Sequence, residues 1–305
     1  MLEAVSELVA ADEWPDKQVM ILMRPQGEEQ WHTRFLASDS AQSVDAIVAG
    51  EADIAICNPG GVLGMALRGR GPFKEPIPLR SIMVLPQFDQ LAFAISAKTP
   101  IRSFGELKRT RYPLKVSLRG QANHSVHLVC NQVLSAYGMS LDDIESWGGK
   151  VLYTDGLPFV SERLDAVERG EIDAVWDEAL PLWGRRAIDM GMHFLPIDEP
   201  ELAALEADGL KRAAITDEEY PGLGETVWTL DFSGWPVFCL DTAPDEMIYN
   251  FCAALDARKD RISWWEGTGP LPLEKLCRDS KEGPLYLPLH PAAERFWRER
   301  GYLKR

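Results

Sequence analysis

One segment of this sequence is written twice. Val44-Asp45-Ala46-Ile47-Val48-Ala49-Gly50-Glu51-Ala52-Asp53-Ile54-Ala55-Ile56 returns as Leu164-Asp165-Ala166-Val167-Glu168-Arg169-Gly170-Glu171-Ile172-Asp173-Ala174-Val175-Trp176. Each copy reads as a helix, a glycine that stops it, an acidic turn and a buried strand. A single parallel sheet does not need the same helix-to-strand junction twice, so the repeat predicts two separate sheets. Ordinary α/β grammar also produces such likenesses, and that alternative stays open here. The length of 305 residues agrees with two domains, at about 150 residues each.

Apolar residues make up 46% and charged residues 26%, which excludes wholesale disorder. The 47 acidic against 32 basic residues leave a formal charge of -15. Such a surface repels nucleic acid and anionic membranes, although a few arginines can still converge in one pocket. Cys57, Cys130, Cys239, Cys252 and Cys277 are odd in number, widely spaced and set in apolar runs. They read as reduced core residues, not as a disulfide or zinc framework. No run of about 18 apolar residues predicts a membrane span. The start, Met1-Leu2-Glu3-Ala4-Val5-Ser6-Glu7, has neither a basic nor a long apolar export region. As written the chain is therefore expected to be cytoplasmic, or periplasmic had a signal peptide been removed.

Strands are predicted over 17–23, 53–57, 79–85, 90–96, 114–118, 228–232 and 236–240, with helices over 38–49, 103–109, 123–137, 199–206, 245–257 and 292–300. Val44, Ile47 and Val48 share the apolar face of the first helix, and Ser103 can cap the second. Asn58-Pro59-Gly60-Gly61 reads as a loop, and 188–224 reads as poor in core. The expected division is residues 1–96 with 226–305 as a discontinuous first lobe, its sheet completed by the late strands. Residues 97–225 form the second.

The repeated Gly-Glu-x-Asp strands, the segment Phe93 to Leu107, Arg119-Gly120 before a helix, and Pro288-Leu289-His290-Pro291-Ala292-Ala293-Glu294-Arg295-Phe296 together resemble the TAXI family of TRAP-transporter-associated solute receptors. The likeness runs from about Lys17 to Tyr302. It implies an α/β, two-lobed, type II periplasmic-binding-protein-like fold with a central ligand cleft closing on a small organic anion. If the chain is exported, it also implies transporter membrane subunits as partners. The segment from Arg24 to His32 stands where the family carries a Gly-rich, Tyr-containing loop. The resemblance places the family's first-lobe strand end on Asn58 to Gly61, and its second-lobe helix entry on Ser117 to Gly120 with Asn123 to Ser125.

The residues suggest chemistry of their own. Arg119 offers a planar fork to a carboxylate, and the N-H groups near Asn123, His124 and Ser125 open a helix. A salt-bridged Arg119 beside a plain helix cap is the competing reading. Asn58 with the backbone of Gly60 and Gly61 can meet the other end of a ligand, or form only a turn. Arg24, Gln26, Trp31 and His32 are a second first-lobe set. Trp176, Trp183 and Trp235 can stack on an aromatic ligand body or serve as core. Asp155, Asp177 and Glu178 can meet an ammonium or hydroxyl group, or clamp the lobes. His124 and His127 share a helix face, but two ligands do not hold zinc, so no metal is expected.

No Ser-His-Asp order, Walker loop or dinucleotide loop is present, and no cofactor is expected. The expected function is capture of a small organic anion, a carboxylate, aromatic acid or dicarboxylate. The alternatives are a cytoplasmic decarboxylase or isomerase acting on a carboxylic acid, and a ligand-sensing interaction protein.

Overall fold

The computed structural model describes residues 19–23, 33–38, 40–159, 162–262 and 271–304. The described residues divide into two compact units, one ending at Phe88 and resuming at Ser233, the other formed by Asp89–Phe232. Each unit carries one open five-stranded mixed sheet, which is the two-lobed α/β class the repeat predicts.

In the first unit, β1 (Val19–Met23), β2 (Thr33–Ala37), β3 (Ile54–Ile56) and β4 (Leu79–Leu85) are joined by a late strand, giving the order β1-β2-β3-β12-β4. In the second, β5 (Ala92–Ile95), β6 (Lys115–Arg119), β7 (Lys150–Thr154), β8 (Ala174–Asp177) and β9 (His193–Phe194) take the order β7-β6-β8-β5-β9. The strands β10 (Arg212–Ile215) and β11 (Val227–Leu230) form a separate antiparallel pair in that unit, and β12 spans Trp235–Leu240. The two five-stranded sheets share a plan. β2 runs parallel to β3 and β6 parallel to β8, while the fourth strand, β12 or β5, is antiparallel to its neighbours.

The repeated segment supplies β3 and β8, one for each sheet, and its hydrogen bonds repeat as well. Asp53 accepts the N-H of Arg34 at 2.7 Å and returns its own N-H to the Arg34 carbonyl at 2.9 Å. Asp173 does the same with Lys115, at 2.9 and 2.8 Å. The turn before each aspartate folds back onto Ala46 or Ala166, whose carbonyls accept from Glu51 and Glu171 at 2.8 and 2.9 Å. Gly-Glu-x-Asp therefore stops a helix, reverses the chain and locks the next strand against its parallel neighbour. Gly50 and Gly170 take left-handed φ values of 67° and 74° at the stop.

Both units have cores of their own. In the first, Ile54, Ile82, Val237, Cys239, Ile248, Cys252, Cys277, Phe296 and Trp297 pack together. In the second, Ala94, Leu164, Val175, Trp183, Phe194 and Ile215 do so. All five cysteines are buried, and none forms a disulfide. Among the described residues, no helix is long and apolar enough to cross a membrane.

Several local expectations are corrected. Gly60–Arg68 is a helix, because Gly60 and Gly61 are buried in its first turn; a Cβ on Gly60 would strike the Tyr286 ring. Val48 is 54% exposed and leaves the apolar face to Val44 and Ile47. Residues 188–224 supply two strands and the buried Phe194, Leu202, Leu205 and Ile215. β5 lies beside β8, and β11 beside β10, so both belong to the second unit; only β12 completes the first sheet. The expected division at 96 and 226 moves to 88/89 and 232/233.

No atom lies within 4 Å of a Cβ added to Gly50 or Gly170, so alanine meets only backbone strain at either position. Gly50→Ala and Gly170→Ala should each cost about 1 kcal/mol in urea unfolding. A loss at one glycine alone would show that the two junctions are not energetically equivalent.

Candidate functional site

The carboxyl edge of the parallel strands in the second unit gathers ionisable side chains that ordinarily stay in water. β6 ends at Arg119 and β8 at Asp177, with Glu178 following. β5 enters antiparallel at the same edge, pairing Ala92 with Asp177, and Asp89 lies just before it. Three strands thus converge Arg119, Asp177, Glu178 and Asp89, at the kind of edge where open α/β sheets hold ligands.

Arg119 is 8% exposed. Its Nε and Nη2 donate to the two oxygens of Asp177 at 3.2 and 2.7 Å, and Nη2 also donates to Glu178. Asp177 is wholly buried and meets a second cation, Arg163, which stands in the first turn of the helix Arg163–Glu168. Arg163 donates further to the Ser117 hydroxyl at 2.9 Å, the Ser117 carbonyl at 3.0 Å and the Trp176 carbonyl at 3.3 Å. A cation in a first turn opposes the helix dipole. It is held there by Asp177 and by these carbonyls.

Glu178 is followed by Ala179, whose φ of 57° is left-handed. That turn aims the N-H groups of Ala179 and Leu180 at Asp89, at 2.9 and 3.1 Å, so Asp89 caps the helix Leu180–Asp189 from a distant part of the chain. Asp89 thereby sits beside Glu178, and each carboxyl acts on the other. His124 caps the helix Ser125–Ala136, its Nδ1 accepting from Val126 N-H at 3.1 Å, so Nε2 carries the proton. Nε2 stands 3.9 Å from Glu178.

The proton balance follows from these contacts. Burial raises the Asp89 carboxyl well above its usual range, and the neighbouring Glu178 pushes it further. Burial also raises Glu178, with Arg119 opposing. Burial would raise Asp177 too, but Arg119 and Arg163 outweigh it and hold that carboxylate ionised. Burial lowers His124 to about 3, assisted by Arg119, so its ring is neutral. Two like charges at about 4 Å repel by ~4 kcal/mol at an effective dielectric near 20. The Asp89 and Glu178 carboxyls therefore oppose each other's ionisation, and both are pushed towards the protonated form.

Arg119 is salt-bridged, yet its guanidinium is not exhausted. All its hydrogen bonds leave from Nε and Nη2, and Nη1 has no partner among the described residues.

The other expected site residues divide among several places. Ser125 opens the same helix that His124 caps, and Asn123 stands two residues before it with Oδ1 accepting from Gln121 at 3.2 Å. Ser117 braces Arg163 and lies 3.3 Å from the Thr154 hydroxyl. Asp155 is exposed and packs over Gly120, where a Cβ would collide with it. Trp176 is core: it is 2% exposed, and packs against Phe93 and Phe104 at centroid distances of 4.8 and 5.6 Å, which leaves no face for stacking on a ligand. Trp183 is likewise buried, beside Phe194.

Asn58, Gly60, Gly61 and Trp235 belong to the first unit. The Asn58 amide donates to the Gly234 carbonyl at 2.9 Å, and the Trp235 indole to Gln87 at 2.6 Å. The close approach that Gly60 permits is taken by Tyr286. Arg24, Gln26, Trp31 and His32 lie outside the described residues. Among the described residues, no three His, Cys, Asp or Glu side chains group as a metal site would need.

Asp89, Arg163 and Ala179 were not singled out from the sequence. A cation at the start of a predicted helix was the available signal for Arg163. Asp89 and Ala179 offered none, since their contact spans 90 positions.

The sequence profile of the NMT1-like family matches residues 36–301. The chain belongs to the NMT1-like family. The TAXI resemblance holds at the coarser level of a type II solute-binding-protein-like fold. Among solved structures, this NMT1-like protein is similar to the L-cystine solute receptor of Neisseria gonorrhoeae in its unliganded open conformation, at 14% identity and a TM-score of 0.29 over 76% of this chain and 68% of that one. It is similar to the periplasmic aliphatic sulphonate binding protein of Escherichia coli, at 12% identity and 0.33 over 71% and 55%. It is also similar to a glycine betaine and L-proline binding protein of Borrelia burgdorferi, at 14% and 0.36 over 64% and 59%. The NMT1-like chain thus spans under two thirds of the last two.

The cytoplasmic expectation is corrected. The similar structures are solute receptors and binding proteins, one of them named as periplasmic.

Removing Asp177 strands two buried guanidinium groups. Asp177→Asn should cost about 3–5 kcal/mol in denaturant unfolding. Asp165→Asn, at an exposed pair with Arg186, should cost under about 1 kcal/mol. Equal costs would remove the buried cluster from the stability of this unit.

Proposed function

We propose that this NMT1-like protein is a solute-binding protein whose second unit anchors a small organic anion, a carboxylate foremost, on Nη1 of Arg119. One observation carries the reading: a nearly buried guanidinium is fixed on two of its three nitrogens and retains a free donor edge at the carboxyl end of a strand. Asp177 and Glu178 set the plane of the group before any ligand arrives, so little side-chain entropy is lost on binding. The helix entry at Asn123, His124 and Ser125 borders the same place and suits an acceptor oxygen. On this reading the partner beyond the solute is a membrane subunit of a transporter, to which an extracytoplasmic receptor delivers its ligand.

The test is mass spectrometry of molecules released from freshly purified protein. Wild type should release an organic acid, and Arg119→Lys, which keeps the charge and loses the fork, should release at least tenfold less. Circular dichroism would confirm that the variant is folded. Equal yields from the two proteins, or release of a purely cationic solute, would defeat the anchor.

A further inference from the structure

A buried site that compensates its own charges has to account for the charge of whatever enters it. Around Arg119 the charges balance when the Asp89–Glu178 pair holds one proton: Arg119 and Arg163 then face Asp177 and one net negative charge on the pair. A carboxylate arriving at Nη1 of Arg119 adds a negative charge beside Glu178, which already hydrogen-bonds the same guanidinium.

Among the described residues, few other groups are placed to absorb it. The groups facing the pair are Arg119 at the end of β6, Asp177 at the end of β8, Arg163 behind Asp177, His124 at the head of its helix, and Tyr220 from the turn after β10. Both arginines are already charged. Asp177 is held ionised between them, and His124 is neutral because Arg119 and burial oppose its protonation. Burial and Asp89 keep the Tyr220 phenol protonated. His127, one turn along the helix from His124, is held down by burial, with Arg119 also opposing its protonation. Among the described residues, the second carboxyl of the Asp89–Glu178 pair is then the group best placed to accept a proton.

We propose that the Asp89–Glu178 pair matches the site to the charge of its ligand: it holds one proton in the free protein and two when a monoanion occupies Nη1 of Arg119, so the solute is taken up together with one proton. This deepens the Arg119 reading and rests on it. The proton comes from solvent, and no bond of the solute forms or breaks. Glu178 is the specificity-determining residue, since its oxygen lies on the guanidinium that the ligand shares. A monoanion is favoured over a dianion, whose second charge would find no proton acceptor left in the cluster. Both carboxyls are pushed upward in the free protein, so a second proton is accessible above the ordinary carboxylate range.

The linkage has a fixed sign. Binding that takes up a proton weakens as pH rises, by at most tenfold per pH unit for one proton.

Isothermal titration calorimetry tests the proposal with acetate, pyruvate and benzoate as monoanions and succinate as a dianion. Each is titrated in phosphate and in Tris, two buffers with different heats of ionisation. For a monoanion that binds, the buffer dependence should give an uptake near one proton, with affinity falling several-fold per pH unit between about pH 6 and 8. Glu178→Gln replaces the acceptor by a neutral amide. Its binding should show uptake near zero and a flat pH profile. Binding to wild type with no uptake would overturn the proton linkage and leave the Arg119 anchor standing. Full uptake retained in Glu178→Gln would overturn the assignment to this pair. If none of the four acids binds at millimolar concentration, the Arg119 anchor fails and the linkage fails with it. The wild-type measurement decides the linkage even if the variant does not fold.

Discussion

The second unit depends on one carboxylate. Asp177 is sealed from water and receives two guanidinium groups, Arg119 from a neighbouring strand and Arg163 from a helix. Ions in a protein interior are tolerated only when each is paired and its remaining donors are satisfied. The surrounding chain is arranged to meet that condition. Ser117 gives Arg163 a hydroxyl and a carbonyl, β8 gives it the carbonyl of Trp176, and Glu178 takes part of Arg119. The parallel pairing of β6 with β8 sets Arg119 beside Asp177. A ligand contact built on Arg119 inherits its geometry from Asp177.

The duplicated junction shows how one scaffold carries unlike chemistry. Both copies tie an aspartate to the neighbouring strand through the same two hydrogen bonds, one to its carboxylate and one from its N-H, and each places its strand third in a five-stranded sheet. Past the strand the two copies diverge. After β3 come Cys57, Asn58 and Pro59, which are neutral and lead into a helix. After Trp176 on β8 come Asp177 and Glu178, which draw in two arginines. The repeated part is structural and the divergent part is chemical, as expected where function sits on loops appended to a common fold.

Legibility in the sequence tracks the range of the forces involved. Helix stops, the Ser103 cap and the duplicated junction are set by neighbours a few residues apart, and all were readable. The strand end, polar turn and helix entry that hold Arg119, His124 and Ser125 were readable as a local pattern. The helix Gly60–Arg68 was not, since two glycines argue against helix and the packing that overrides them comes from Tyr286. Trp176 sits beside a turn in sequence, but Phe93 and Phe104 close over it. Strand partners were the weakest point: β5 and β11 have strand patterns that do not say which sheet they join. The Asp89 to Ala179 contact spans 90 positions and the Arg163 to Ser117 contact 46, so neither leaves a trace in local spacing.

A chain with a net charge of -15 is at first sight a poor choice for holding an anion. Charge on the exposed surface acts only over a Debye length of about 8 Å at physiological ionic strength, whereas a buried guanidinium acts at hydrogen-bonding distance in a medium that screens it far less. Selection for an anion can therefore be made by a few fixed donors under an overall field of the wrong sign. The consequence is kinetic: such a site draws nothing from electrostatic steering, which raises encounter rates only when the field favours the ligand. Its selectivity has to reside in how long the anion stays. On the proposed anchor, residence would be governed by what Arg119 already has in place before the ligand arrives, and by how the charge beside it is compensated.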